Sequence, residues 1–178
     1  MSWEEELFAY LDDLEGQASA LYAAERAPEL ADRSREEYRS VTLAGRLMAT
    51  VEHDVTLDVL GVGPVTGRVA RVASGWCLVG GAGQDWVVGL DAVAGVHGAS
   101  ERAVPEVAWP ASARLGLGAA LRRLADSGEP CSVHRTDGRR HDGTLARVGA
   151  DFVELASGTG GRLVLVALAH VSAVQSRG

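Results

Sequence analysis

Two periods divide this chain. Through about residue 49 the apolar residues return every three or four positions, and from residue 55 they alternate with polar ones. Leu7, Leu11, Leu14, Ala18 and Leu21 step by four and three, a coiled-coil-like seam flanked by Trp3, Phe8, Tyr10 and Tyr22. The run Ser2-Trp3-Glu4-Glu5 is a capping box that starts this helix, because the Ser hydroxyl and the Glu carboxylate each satisfy an orphan amide. Pro28 ends or kinks it, and a second helix is predicted from Pro28 through Leu30, Tyr38, Val41 and Met48 to about Ala49. The seam has two uses of equal standing, packing within the chain or self-association through Leu7, Leu11, Leu14 and Leu21.

The alternating region predicts ten short strands in two series. The first series is Val55 to Val59, Val65 to Val72, Trp76 to Val79, Trp86 to Val88 and Val93 to His97, with a single tight turn at Leu90-Asp91-Ala92. A linker at 98–112 holds Pro105 and Pro110, pinned by a buried Trp109. A helix then runs from Gly116 to about Ser127. The second series is Cys131 to Val133, Gly143 to Val148, Phe152 to Leu155, Leu163 to Val166 and Val171 to Val174, with a turn at Leu168-Ala169-His170 and a hairpin at Asp137-Gly138. Gly67-Arg68-Val69-Ala70-Arg71-Val72 recurs as Gly143-Thr144-Leu145-Ala146-Arg147-Val148, and an aromatic opens the next strand at Trp76 and at Phe152. The offset is 76 residues at Gly67 and Gly143 and 78 at Val93 and Val171, as expected of a two-residue insertion in the glycine loop between them.

Five short, bent strands with one helical turn between the fourth and fifth resemble the Sm-like small β-barrel. The second copy is similar to bacterial Sm-like RNA chaperones in Gly143-x-Leu145, in Asp151-Phe152-Val153-x-Leu155 and in Leu165-Val166-x-x-Ala169-x-Val171-Ser172-x-Val174. That family's RNA-contacting polar residues are not kept, since Gly149 and Val153 fall near those places and Ala167 and Leu168 replace its Lys-His pair. The whole chain also resembles uncharacterised actinobacterial proteins often labelled Fis-family transcriptional regulators. The shared features are the acidic Ser2 to Glu5 start and the runs Leu115-Gly116-Leu117-Gly118 and Gly149 to Glu154.

The fold expected is therefore mainly β with α. An N-terminal helical arm at 1–50 precedes two tandem Sm-like or SH3-like five-stranded barrels, each with its own separate sheet. The first barrel spans 51–98, the linker 99–112, and a helix plus the second barrel 113–178.

Composition sharpens this. All seventeen basic residues are Arg, and the acidity belongs to the arm: residues 1–40 hold eleven acids against four Arg, a net −7, and the remainder is neutral. Neither part carries a broad basic footprint. An acidic start and no apolar run near the roughly 20 residues of a membrane span predict a soluble, cytoplasmic protein. Cys77 and Cys131 read as reduced core thiols. The five His lack metal-ligand spacing, the Ser-Gly pairs lack a nucleophile context, and Gly61-x-Gly63-x-x-x-Gly67 precedes a strand where phosphate cradling needs a helix. No catalytic, metal or cofactor site is expected, and no small-molecule substrate. One local basic cluster remains: Arg135, Arg139, Arg140 and Arg147, beside His134 and His141 on the hairpin. The favoured expectation is a non-enzymatic binding or scaffold protein with a protein partner or self-association. The alternative is a nucleic-acid-associated regulator using that arginine hairpin.

Overall fold

The computed structural model describes residues 13–22, 35–81, 83–158 and 160–177, and the chain forms two compact units, Met1–Val41 and Thr42–Gly178. In the first unit, helix α1 (13–22) exposes every residue, and a single helical turn covers 35–39. Ser2, Leu7, Leu11, Pro28 and Leu30 lie outside the described residues. The predicted helix to Ala49 is broken at residues 40–42. Thr42 is extended there and accepts the Gly45 amide on its hydroxyl, so it caps a new helix, α2 (Leu43–Met48). Helix α2 packs on the sheet, with Leu47 fully buried.

The second unit is mainly β. Strands β1 (Asp54–Val59), β2 (Gly63–Ala73), β3 (Trp76–Gly80), β4 (Asp85–Gly89) and β5 (Val93–His97) come first. Helix α3 (Leu117–Ser127) follows, ending on Gly128 in the left-handed conformation that a residue without Cβ adopts freely. Strands β6 (Pro130–Arg135), β7 (Arg140–Val148), β8 (Phe152–Ser157), β9 (Arg162–Ala167) and β10 (Val171–Ser176) complete it. Each predicted single turn, at 90–92 and at 168–170, is a short 3-10 helix. The linker is irregular, and the buried Trp109 indole donates to the Val104 carbonyl at 2.9 Å.

The pairing of the first five strands recurs residue by residue. Leu57 opposite Val65 becomes Val133 opposite His141, and Leu78 opposite Val87 becomes Glu154 opposite Leu165. The bulge between Val69 and Arg71 returns between Leu145 and Arg147. Gly67 and Gly143 mark where each bent second strand crosses its neighbour: a Cβ would sit 2.2 Å from the Gly80 carbonyl oxygen in one and 2.1 Å from that of Ala156 in the other.

One expectation is corrected. The halves do not keep separate sheets, because β4 pairs antiparallel with β10 to give one ten-stranded sheet in the order β5-β1-β2-β3-β4-β10-β6-β7-β8-β9. The cause lies in β4, where alternation sends adjacent side chains to opposite faces. Val88 enters the core of the first half with Leu57, Val69 and Cys77, while Val87 enters that of the second with Leu121, Val133 and Leu155. A strand apolar on both faces is buried only where a packed core lies against each face, and pairing with β10 brings the second core to Val87. Ala173 of β10 reciprocates by joining the core of the first half.

Candidate interaction surfaces

The β6–β7 hairpin turns at Asp137-Gly138, with Gly138 at positive φ as that turn requires. It brings the predicted arginines close to carboxylates. Asp137 holds Arg135 at 2.9 Å and Arg139 at 3.9 Å, and its other oxygen accepts the Arg139 amide at 3.1 Å. Asp142 holds Arg140 at 3.2 Å and Arg177 at 3.8 Å. Arg147 meets Glu154, its cross-strand partner, at 2.7 Å. Each of the four predicted contact residues is thus paired with an acid. Such surface pairs contribute only about 0–1 kcal/mol each, yet a phosphate has to compete with them for the guanidinium forks. Residues i and i+2 share a face of a strand, so the spacing Arg140-x-Asp142 on β7 already carried this signal, while Asp137 reaches its arginines from the turn.

Asp142 also accepts the Ser132 hydroxyl at 2.6 Å. That hydrogen bond, aided by the charges of Arg140 and Arg177 and opposed by partial burial, holds its carboxyl below the usual carboxylate range. His134 does not face His141 across the hairpin. It lies opposite Arg140, its Nε2 is 3.2 Å from the Gln175 side-chain oxygen, and its ring is 5.3 Å from that of Trp86. Burial lowers its pKa, the Gln175 bond only partly offsetting this. Among the described residues no three His, Cys, Asp or Glu side chains gather where a metal could sit. Burial pushes the Cys77 thiol up to about 12, which leaves it unreactive in the core.

The sheet ends offer a second kind of surface, which the sequence reading did not single out. At one end, no described strand pairs with the outer edge of β9, where Leu163 is 51% and Leu165 62% exposed. Val166, the next residue along β9, is buried. At the other end, β5 runs beside a groove of about 310 Å³ lined by Leu43, Arg46, Val93, Gly95, Val96 and Gly98. On α1, Leu14 and Leu21 of the predicted seam are 42% and 67% exposed. Among the described residues no helix is long and apolar enough to cross a membrane. No family model and no curated protein matches the sequence.

Proposed function

We propose that the chain is a non-enzymatic binding or scaffold protein, built from a duplicated five-stranded unit of the Sm-like or SH3-like kind, that works by adding extended polypeptide to its sheet edge. The observation that carries this reading is β9. An exposed edge strand presents a row of unused amides and carbonyls, and proteins ordinarily blunt such an edge with charge, proline or a covering segment. Strand β9 instead sets Leu163 and Leu165 outward, with Arg162 as its single charge. Main-chain pairing supplies affinity in this mode and the alternate side chains supply selectivity.

Panning displayed random decapeptides against the full-length protein tests the reading. Sequences with alternating apolar residues should be enriched on the wild type and lost on the Leu163→Glu/Leu165→Glu variant. Equal enrichment on both would remove the edge from the mechanism. Filter retention of RNA or duplex DNA that falls steeply with salt, and falls again in Arg139→Gln/Arg140→Gln, would favour the regulator reading instead.

A further inference from the structure

We infer that the cavity between helix α3 and the β4–β10 junction binds a small organic cation, a primary ammonium carried on a compact apolar body. The inference is separate from the edge-binding reading and stands whether or not β9 takes up polypeptide. The cavity measures about 210 Å³ and is walled by apolar residues of both halves: Leu78 of β3 and Val87 of β4 from the first, Leu124 of α3, Cys131 of β6 and Val174 of β10 from the second. The pairing of β4 with β10 is what brings these walls together.

Charge at its mouth selects the sign of the ligand. Asp85 and Glu129 line the cavity and are exposed, so they stand where it opens to solvent. Among the described residues neither carboxylate has an ion-pair partner, whereas Asp137, Asp142 and Glu154 are each held by an arginine. No described arginine lines the cavity. Arg177 follows Ser176 of the lining, but its guanidinium is drawn to Asp142 at 3.8 Å. Asp85 is tied to β10 through its amide, which donates to the Ser176 hydroxyl at 2.8 Å, and Gly80 opposite it offers no side chain to occupy the carboxylate. Helix α3 ends at Ser127, two residues before Glu129, and the carboxyl end of a helix adds partial negative charge.

The arrangement also selects the shape. Apolar walls lie within, where Val87 and Val174 are buried, and the acids lie at the rim. The occupant therefore enters apolar end first and leaves its ammonium at the mouth. A lysine or arginine side chain of a protein partner has the opposite order, since its charge leads, so a free molecule fits where a basic side chain does not. An apolar cavity of about 150 Å³ takes up benzene, and about 210 Å³ thus leaves room for a ring with a short arm. A bare ammonium would leave the apolar walls wet, and an anion of the same shape would meet two like charges.

Titration of the full-length protein with 2-phenylethylamine, 2-phenylethanol and phenylacetate, followed by methyl NMR, tests the inference, because the three share a body and differ in charge. The amine should saturate, shifting the methyl resonances of Leu124 and Val174 and leaving those of Leu163 and Leu165 on β9 in place. The alcohol should bind about five- to tenfold more weakly, the loss expected of two exposed charge contacts, and phenylacetate should not bind. Added salt should weaken the amine alone. In Asp85→Asn/Glu129→Gln, two exposed positions where the substitutions spare the core, the amine should fall to the level of the alcohol. Equal binding of the three compounds, no binding of the amine, shifts confined to residues outside the cavity, or a double variant that binds the amine as well as the wild type would each overturn the inference. None of these results bears on β9, which the peptide panning decides separately.

Discussion

Two cross-strand pairs at matching places in the two halves show what the halves share and where they part. In the first half Thr56 faces Thr66, and their hydroxyls lie 2.9 Å apart. In the second half the same places hold Ser132 and Asp142, at 2.6 Å. The backbone register does not distinguish them. The first pair is uncharged and self-sufficient, whereas the second has drawn in Arg140 and Arg177. A like difference separates Val87, covered by β10, from Leu165, bare on β9. Alternation, bulges and the two close-approach glycines thus set the sheet, and the residues laid on it decide which edge is closed and which surface is charged.

The largest effect expected from this comparison concerns cooperativity. Because Val87 belongs to the core of the second half and Ala173 to that of the first, the unit Thr42–Gly178 should unfold in one transition. Leu57→Ala in the first half should cost about 2–5 kcal/mol and lower the urea midpoint seen by hydrogen exchange in β8 as much as that seen in β1. Separate midpoints for the two halves would mean that the shared strands couple them weakly.

Next in size is the contrast between inner and outer edge. Val87→Ala should cost on the order of 2 kcal/mol, and Leu165→Ala, at the matching place, under about 0.5 kcal/mol. Equal losses in dilute denaturant titrations would show that β9 is covered within the chain.

A third contrast is aromatic. Trp76 and Phe152 open equivalent strands, but only the indole, through Nε1, donates to the Leu115 carbonyl, at 2.8 Å. Trp76→Phe should cost about 1–3 kcal/mol, since a part-buried acceptor loses its donor. Thermal melting would reveal a smaller loss if water replaced it.

The smallest effect is a dependence on pH confined to the second half. The Asp142 carboxyl is held below its ordinary value, so it adds stability above the unfolded carboxylate pKa of about 3.9, and that stability is lost as pH falls through the lower folded value. Asp142→Asn should flatten the acid limb of the stability curve, and Thr66→Val should leave its shape unchanged. An unaltered limb in Asp142→Asn would show that the Ser132 bond holds the neutral acid as well as the anion.

Much of this was legible in the residues. The ten strands, the two single turns, the helix at 117–127 and the pinned Trp109 follow from alternation and from glycine and aromatic punctuation, which act locally. The union of β4 with β10 was not legible. Val87 and Val174 are far apart in sequence, and two adjacent apolar residues in a short strand fit an edge folded onto its own half as well as a strand between two cores. The break before α2 was missed because the apolar spacing continues across it, and Thr42 wins locally by capping. The arginine cluster was found, but its carboxylate partners were not, although two of them stand two residues from an arginine. The exposed edge was hidden for a further reason: Leu163 and Leu165 have the same alternation as buried residues, and only the lack of a neighbouring strand among the described residues marks them.

The most direct test is the binding of an extended decapeptide selected by the panning to the full-length protein, read by fluorescence anisotropy, beside its binding to Leu165→Arg. The account predicts saturable binding to the wild type and its loss in Leu165→Arg, folded with an unchanged circular dichroism spectrum. A wild type that takes up no extended peptide, or a variant that binds it as well as the wild type, would contradict it.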